Sequence, residues 1–406
     1  MNRASAVSAG AATLLCAAAV ELAGRSMARA SLLSAVHVHA PDAVIAVAAA
    51  ATAAIAIVLL RRLGDVTASQ MVLLVLGAGL SLGLWAQLSL GARLQSDGFY
   101  YFAYLRSLWF DGDVDLANDY RLLRLDDKPH LFTPTPTGHA QSAWSVGPAL
   151  MAAPLFAVGH LVARAKSAAG ADIATDGTSY PYRQAWCVAG LVWGLIGLGF
   201  CFQLARRFAS AAGAALGTAS VALGSFAVWY LVKEPSMAHA PSMAVVAAFC
   251  AFWARTRETR TRRQWVLLGL LGGFMAAVRW QNVWFLLLPA AEWAVALAGL
   301  VNARDVTRLR PLAGRALVFA PAVLVGLLPQ LLAWRAIYGE WFAVSPISPE
   351  IRWWDSHWRD VLWSGRAGLF AWSPVLYVGA AGLIAMLKRN RLVASRPGSS
   401  WRSCPG

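Results

Sequence analysis

Apolar runs alternate with short polar stretches along the chain. The runs fall at about 8–24, 42–60, 71–91, 145–163, 185–205, 212–232, 237–254, 265–300, 316–335 and 367–387. A bilayer core takes about 20 residues of helix, so runs of this length predict membrane-spanning helices. Short alternating segments, the mark of a transmembrane barrel, are missing from the pattern. The run 265–300 is too long for one crossing. Arg279, Trp280, Gln281 and Asn282 break it, which predicts a polar turn between two spans. The run 145–163 holds Gly147, Pro148, Pro154, Gly159 and His160 and makes a poor lipid-facing helix. It is predicted to lie along or dip into the outer leaflet without crossing. The reading is an all-α polytopic membrane protein with ten spans.

Composition sharpens this. Of 406 residues, 58% are hydrophobic and 14% charged. A soluble protein carries roughly 25% charged residues, so both a soluble enzyme and a disordered chain are excluded. The net charge of +15 would suggest nucleic acid in a soluble protein. Here the basic residues sit between apolar runs, as in cytoplasmic loops. With 145–163 not crossing, one side collects Arg3, Arg61, Arg62, Arg206, Arg207, five arginines from Arg255 to Arg263, four from Arg304 to Arg315, and the cluster after Lys388. That side is expected to be the cytoplasm, with both termini in it, and no nucleic-acid partner is expected. The opposite, external side receives 92–184, the short turn at Lys233–Ser236, and 336–366. Residues 1–392 form one transmembrane domain and 393–406 a Ser/Pro/Arg-rich tail expected to be disordered. The five cysteines form no CxxC or Cys/His pair, so neither a disulfide framework nor a zinc site is expected.

Candidate chemistry concentrates at the external boundary. Asp97 follows the third run and opens a stretch in which Phe99, Phe102, Leu105 and Trp109 recur at helical spacing. That spacing predicts a helix lying in the interface with its aromatics at headgroup level. Asp97 is either its N-cap or a carboxylate able to act as a general base at the lipid–water boundary. Asp111, Asp113 and Asp115 form a DxDxD string that could hold a divalent cation through oxygens, but Leu116 stands where a calcium loop needs glycine. A solvated acidic turn is the plainer reading, and no cofactor is required. Glu234 and His239 flank an external turn, and an ionisable residue at membrane depth is a functional candidate. Arg279, Gln281 and Asn282 lie at the break of the long run. An arginine there either snorkels or grips a phosphate with its planar fork. The Trp-rich 336–366 segment with Arg366 reads as an aromatic belt or as a lid that stacks on sugar.

These pieces together resemble the GT-C glycosyltransferase superfamily. The resemblance rests on SDGFYYFAYLRSL (Ser96–Leu108), SVGPALMAAPLF (Ser145–Phe156), EPSMAHAPSM (Glu234–Met243), VRWQN (Val278–Asn282) and SGRAGLFAWSPVL (Ser364–Leu376), in that order. It implies a multi-pass enzyme of the cytoplasmic membrane. Such enzymes transfer sugar from a polyprenyl-phosphate donor to a glycan, lipid or protein acceptor at the outer face. By position, Asp97 carries over as catalytic base, and Lys128, followed by Pro129, as a counterpart of the family's Lys-Pro pair near the donor phosphate. Tyr100, Tyr101, Glu234, His239, Arg279, Gln281, Asn282 and Arg366 are the expected substrate contacts. The alternatives are a transporter or flippase of a lipid-linked or small substrate, and a non-catalytic membrane assembly protein.

Overall fold

A computed structural model of the chain describes residues 79, 83, 91–302, 309–343, 357–366 and 368–394. The first two apolar runs, most of the third, the segment with Trp353 and Trp354, and the tail from 395 lie outside the described residues. Among these residues the only β pairing is an isolated bridge between Pro134 and Ala140. Helix α1 (Gly98–Arg106) runs into a π-turn at Ser107–Asp111 and is followed by α2 (Ala117–Leu122). The longer helices are α3 (Gly147–Ala168), α4 (Tyr180–Ala205), α5 (Ala211–Gly224), α6 (His239–Thr256), α7 (Arg262–Val278), α8 (Leu287–Asn302) and α9 (Leu309–Tyr338). Short α10 (Trp358–Trp363) and α11 (Leu369–Trp372) lead into α12 (Val375–Ala394).

The chain is helical and apolar enough for a membrane, but the described residues do not contain ten spans. Among them four helices can cross by length and composition: Gly147–Ala168, Tyr180–Ala205, Trp280–Asn302 and Leu312–Tyr338. Gly213–Gly224 and Phe226–Lys233, bent by 65°, make a fifth if the pair is one broken span. Helices α6 and α7 form but, at 18 and 17 residues, fall outside that set. The run predicted not to cross forms an unbroken helix of 22 residues that meets the length and composition of a span. Pro148 sits in the first turn of α3, where a missing N–H leaves no bond unmade, and Pro154 is accommodated in the interior.

Packing fixes how these helices run. Helices α3 and α4 form an antiparallel hairpin: Trp193 Nε1 donates to the Met151 carbonyl at 2.8 Å, and Gly159 backs onto Pro181 and Ala185. Helix α6 runs parallel to α4, with Gly194 against Ala240 and Gly197 against Ala244. Gly269 and Gly273 of α7 meet the backbone of α9, and Gly326 returns the contact, the small-residue packing that serves where oil surrounds the helices. From the end of the third apolar run, Gly79 and Gly83 face Leu195 and Leu191 of α4.

One end of this bundle gathers the polar segments. The Val146 N–H donates to Gln330 of α9 at 2.9 Å, the Tyr338 hydroxyl donates to the Ser142 carbonyl at 2.9 Å, and Gly147 lies on Val278. The 92–146 region, the turn before α6, the break after α7 and the C-terminal end of α9 therefore share that end. The opposite end carries the Arg255–Arg263 cluster.

Helix α1 departs from its expected role. It does not present an aromatic stripe to a membrane surface. Phe102 and Leu105 are buried, and so is every other residue of the helix except Phe99. Phe102 sits edge-on to Phe156 of α3 and Trp186 of α4, so the rings are consumed by protein partners. Only Trp109, in the π-turn, keeps the exposure predicted for the stripe.

Candidate functional site

Asp97 enters α1 behind Ser96, whose φ of 45° is unusual for a residue with a Cβ and marks local strain. The Asp97 carbonyl accepts the Tyr100 and Tyr101 N–H groups at 3.1 and 3.3 Å, while its side chain makes no capping bond. The bland role of a helix-opening aspartate is thus unfilled. Its carboxylate is half-buried and has no hydrogen-bond partner among the described residues.

The turn before α6 holds Asp97 in place. Ser236 Oγ accepts the Gln95 N–H at 3.0 Å, and the Ser236 carbonyl accepts Trp186 Nε1 at 3.0 Å. Gly98 lies so close to Ser236, and Gly190 so close to the Pro235 carbonyl, that a Cβ at either would collide. Residues Glu234–Met237 are thereby wedged between α4 and the start of α1, which brings Glu234 and Asp97 to one place.

Arg279 ends α7 in extended backbone, with φ −151° and ψ 127°. Its guanidinium Nη1 lies 2.9 Å from His239 Nδ1 and 3.3 Å from Nε2. A guanidinium only donates, so the ring nitrogen that takes the bond accepts and carries no proton. The imidazole stacks on Tyr230, centroids 3.8 Å apart at 23°. Tyr230 belongs to a π-turn, Trp229–Lys233, a geometry that recurs at functional sites. Both charges reach Tyr101. Burial pushes its phenol up to about 12; Arg279 pulls it down and Asp97 pushes it further up. Tyr230 lies within electrostatic reach of Glu234, Arg279 and Asp97. Among the described residues no carboxylate pairs with Arg279 at ion-pair distance.

Five of the expected site residues therefore converge: Asp97, Tyr101, Glu234, His239 and Arg279. The others do not join them in the same way. Asn282 is buried, with its amide donating to the Met275 carbonyl and its oxygen accepting from Ser242, both at 3.0 Å. It ties the helix break to α6, with both sides of its amide engaged by protein. Gln281 and Arg366 are exposed and have no hydrogen-bond partner among the described residues. Lys128 Nζ donates to the Tyr100 hydroxyl at 3.0 Å, and the Tyr100 ring stacks on Trp144 at 3.5 Å. That pair braces the 92–146 region beside the site.

The acidic string is occupied by protein. Asp111 Oδ2 accepts from Arg106 at 2.6 Å and from Asn118 at 2.9 Å. Asp113 accepts from the Ser107 hydroxyl at 2.8 Å and from the Asp115 N–H at 3.1 Å, and Asp115 accepts the Ala117 N–H at 3.3 Å. Among the described residues no group of three His, Cys, Asp or Glu side chains is placed to hold a metal.

The late Trp-rich region reaches the site through rings. Trp372 stacks on Phe226 at 6.1 Å, Phe226 neighbours Tyr230 at 6.4 Å, and Tyr230 carries His239. Trp353 and Trp354 lie outside the described residues.

Sequence reasoning passed over Tyr230, Ser236, Arg106 and Asp119. Tyr230 looks like one more aromatic in an apolar run. Asp119 and Arg106 pair at 2.8 Å across the π-turn, at a spacing no helical rule selects. Compared with known proteins, the chain matches no family model and no curated protein.

Proposed function

We propose that this chain is a glycosyltransferase of the cytoplasmic membrane that moves a sugar from a polyprenyl-phosphate donor to an acceptor at the outer face. The observation that carries the reading is the convergence of an unengaged carboxylate, Asp97, and a carboxylate-free guanidinium, Arg279, on the same two phenols, Tyr101 and Tyr230. Asp97 takes the proton of an acceptor hydroxyl or amine, the acceptor atom attacks the anomeric carbon, and the bond from that carbon to the donor oxygen breaks with inversion. Arg279 grips the phosphate throughout and stabilises the charge it gains on leaving. The acceptor is a glycan, a lipid or a protein. Ten spans in residues 1–392 and both termini in the cytoplasm complete the proposal. It is supported by the separation of the polar end of the bundle from the Arg255–Arg263 end.

The test is deletion of the gene followed by mass spectrometry of lipid-linked sugars and surface glycans. The expected result is accumulation of one polyprenyl-phosphate sugar and loss of one glycan modification; unchanged pools of both overturn the reading. Sidedness is tested with single cysteines at the exposed Ser167 and Thr259. An impermeant thiol reagent on intact cells is expected to label the first and spare the second. The reverse pattern, or labelling of both, removes the site from the outer face.

A second reading, a flippase or transporter of a lipid-linked substrate, draws on the 65° break between Gly213–Gly224 and Phe226–Lys233, because broken helices line transport sites. Movement of a fluorescent lipid-linked sugar across proteoliposomes without any transfer would favour it.

A further inference from the structure

The partner of Arg279 differs in kind from the carboxylate partners of Arg106 and Arg260. Arg106 lies on two carboxylates, Asp111 and Asp119, and Arg260 lies on Glu292. Arg279 lies on an imidazole that, as the acceptor of a guanidinium N–H, must be neutral. A carboxylate would hold the guanidinium equally well and would cancel its charge. A neutral ring holds it and cancels nothing. The ring is itself fixed, stacked on Tyr230 and placed at the first residue of α6.

We infer that His239 is a positioning residue: it orients Arg279 for a phosphate anion while leaving the guanidinium charge unneutralised, and Tyr230 serves as the platform that holds the imidazole in the accepting orientation. The inference rests on the phosphate-binding reading of Arg279 given above. Its physical content is a separation of two tasks. Direction comes from the ring nitrogen, whose bond occupies one of five N–H donors and leaves the others for phosphate oxygens. Charge comes from the absence, among the described residues, of an anionic neighbour in direct contact. Stacking alone supplies neither of these, so a role in packing and a role in positioning make different predictions.

Three substitutions at His239 separate them. His239→Asn keeps a neutral acceptor near the place of Nδ1 but gives up most of the ring. His239→Phe keeps the ring on Tyr230 and gives up the acceptor. His239→Asp has nearly the shape of Asn and puts a negative charge against Arg279. The measurement is binding of decaprenyl phosphate in mixed detergent micelles to the full-length purified protein, with Arg279→Lys run alongside. Wild type is expected to bind, and Arg279→Lys to weaken binding about tenfold, because a lysine loses the two-pronged contact. Among the His239 variants the expected order of affinity is Asn above Phe above Asp, with Phe about tenfold below wild type, the scale of one hydrogen bond to a charged group. Asp is expected to be weakest although it differs from Asn by little but charge. Phe binding as well as Asn, or better, would show that the ring only packs and overturns the inference while the phosphate reading stands. Asp binding as well as Asn overturns it too, since the neutrality of the partner would then be irrelevant. Wild type that does not bind decaprenyl phosphate, or an Arg279→Lys protein that binds like wild type, overturns the phosphate reading and this inference with it. Each variant's melting temperature in the same detergent guards against loss of fold. Should Phe unfold, the Asn and Asp pair decides alone.

Discussion

The two ends of the α6–α7 hairpin each carry a bonded arginine, and their surroundings are opposed. At one end Arg260 has side-chain exposure of 1% and is satisfied on every side. It pairs with Glu292 at 3.2 Å, donates to the Thr256 hydroxyl and the Trp253 carbonyl at 3.0 Å, and lies over the Trp265 ring at 4.2 Å. Glu292 in turn accepts from Trp253 Nε1 at 2.8 Å. At the other end Arg279 bonds one neutral ring. Arg260 is a finished structural unit whose charge is compensated in place. Arg279 is fixed in direction and has no carboxylate in direct contact among the described residues, and a partly buried cation without one is costly unless something anionic arrives. The same residue type, on the same pair of helices, thus closes one end of the bundle and leaves the other open for a ligand.

Asp97 belongs to the open end, and its replacement gives the largest expected effect. Because the Asp97 side chain caps nothing, Asp97→Asn removes the proposed base without removing a structural bond. A positioned general base contributes about 10²–10⁴-fold in rate. We expect a normally abundant, membrane-inserted protein whose transfer rate falls by at least about a hundredfold. The assay is transfer from a lipid-linked sugar by membranes carrying matched amounts of each protein. Near wild-type transfer would move the base elsewhere and leave Arg279 without its functional counterpart.

At the closed end the expected loss is of stability instead. Glu292→Gln keeps the shape but leaves Arg260 buried with a neutral partner. Breaking a buried pair costs about 3–5 kcal/mol, and partial exposure of Glu292 brings that to about 2–3 kcal/mol here. The melting temperature in detergent is expected to fall while the donor KM of the surviving folded fraction holds. A changed KM at constant melting temperature would erase the distinction between the ends.

Much of this contrast was visible in the sequence, and the missing part has physical causes. Asp97, Glu234, His239 and Arg279 stand out because each is a polar group bordering an apolar run, where burial without purpose is expensive. Their convergence was legible only as sidedness; nothing in the spacing says that Ser236 clamps Gln95 or that Tyr230 supports His239. Asn282 looked like a ligand contact because polarity at a helix break has two uses, and here the Met275 carbonyl, which also accepts the Arg279 N–H, takes its amide. The stripe of Phe102 and Leu105 looked like a membrane face because a period shows that a side is apolar and not what covers it; Phe156 and Trp186 do. Among the described residues α6 and α7 fall outside the helices long and apolar enough to cross, because their apolar runs are shared between helix and turn.

The third arginine, Arg106, tests the comparison from a different side and with the smallest expected effect. One Nη1 serves two carboxylates, Asp111 at 2.6 Å and Asp119 at 2.8 Å, so the cluster carries an excess negative charge. Asp119 is fully buried, and its Oδ2 has no hydrogen-bond partner among the described residues. Burial pushes the Asp119 carboxyl up to about 6; Arg106 opposes this, and Asp111 and Asp113 add to it. A proton on Asp119 leaves one cation facing one anion in Arg106 and Asp111. The sign follows from linkage. Between the unfolded value of 3.8 and the folded value of about 6, the folded chain holds a proton that the unfolded chain has released. The stabilisation is complete below the lower value and is lost as pH rises through the upper one. Asp119→Asn, which mimics the protonated acid, is expected to flatten that part of the profile. Melting temperatures of wild type and Asp119→Asn, taken from pH 4 to pH 7, are expected to differ least at the acid end and most near pH 7, with the variant the more stable there. A variant less stable than wild type at pH 7 would mean that Arg106 needs both anions. Arg106 would then stand with Arg260 as a fully compensated cation, in contrast to Arg279.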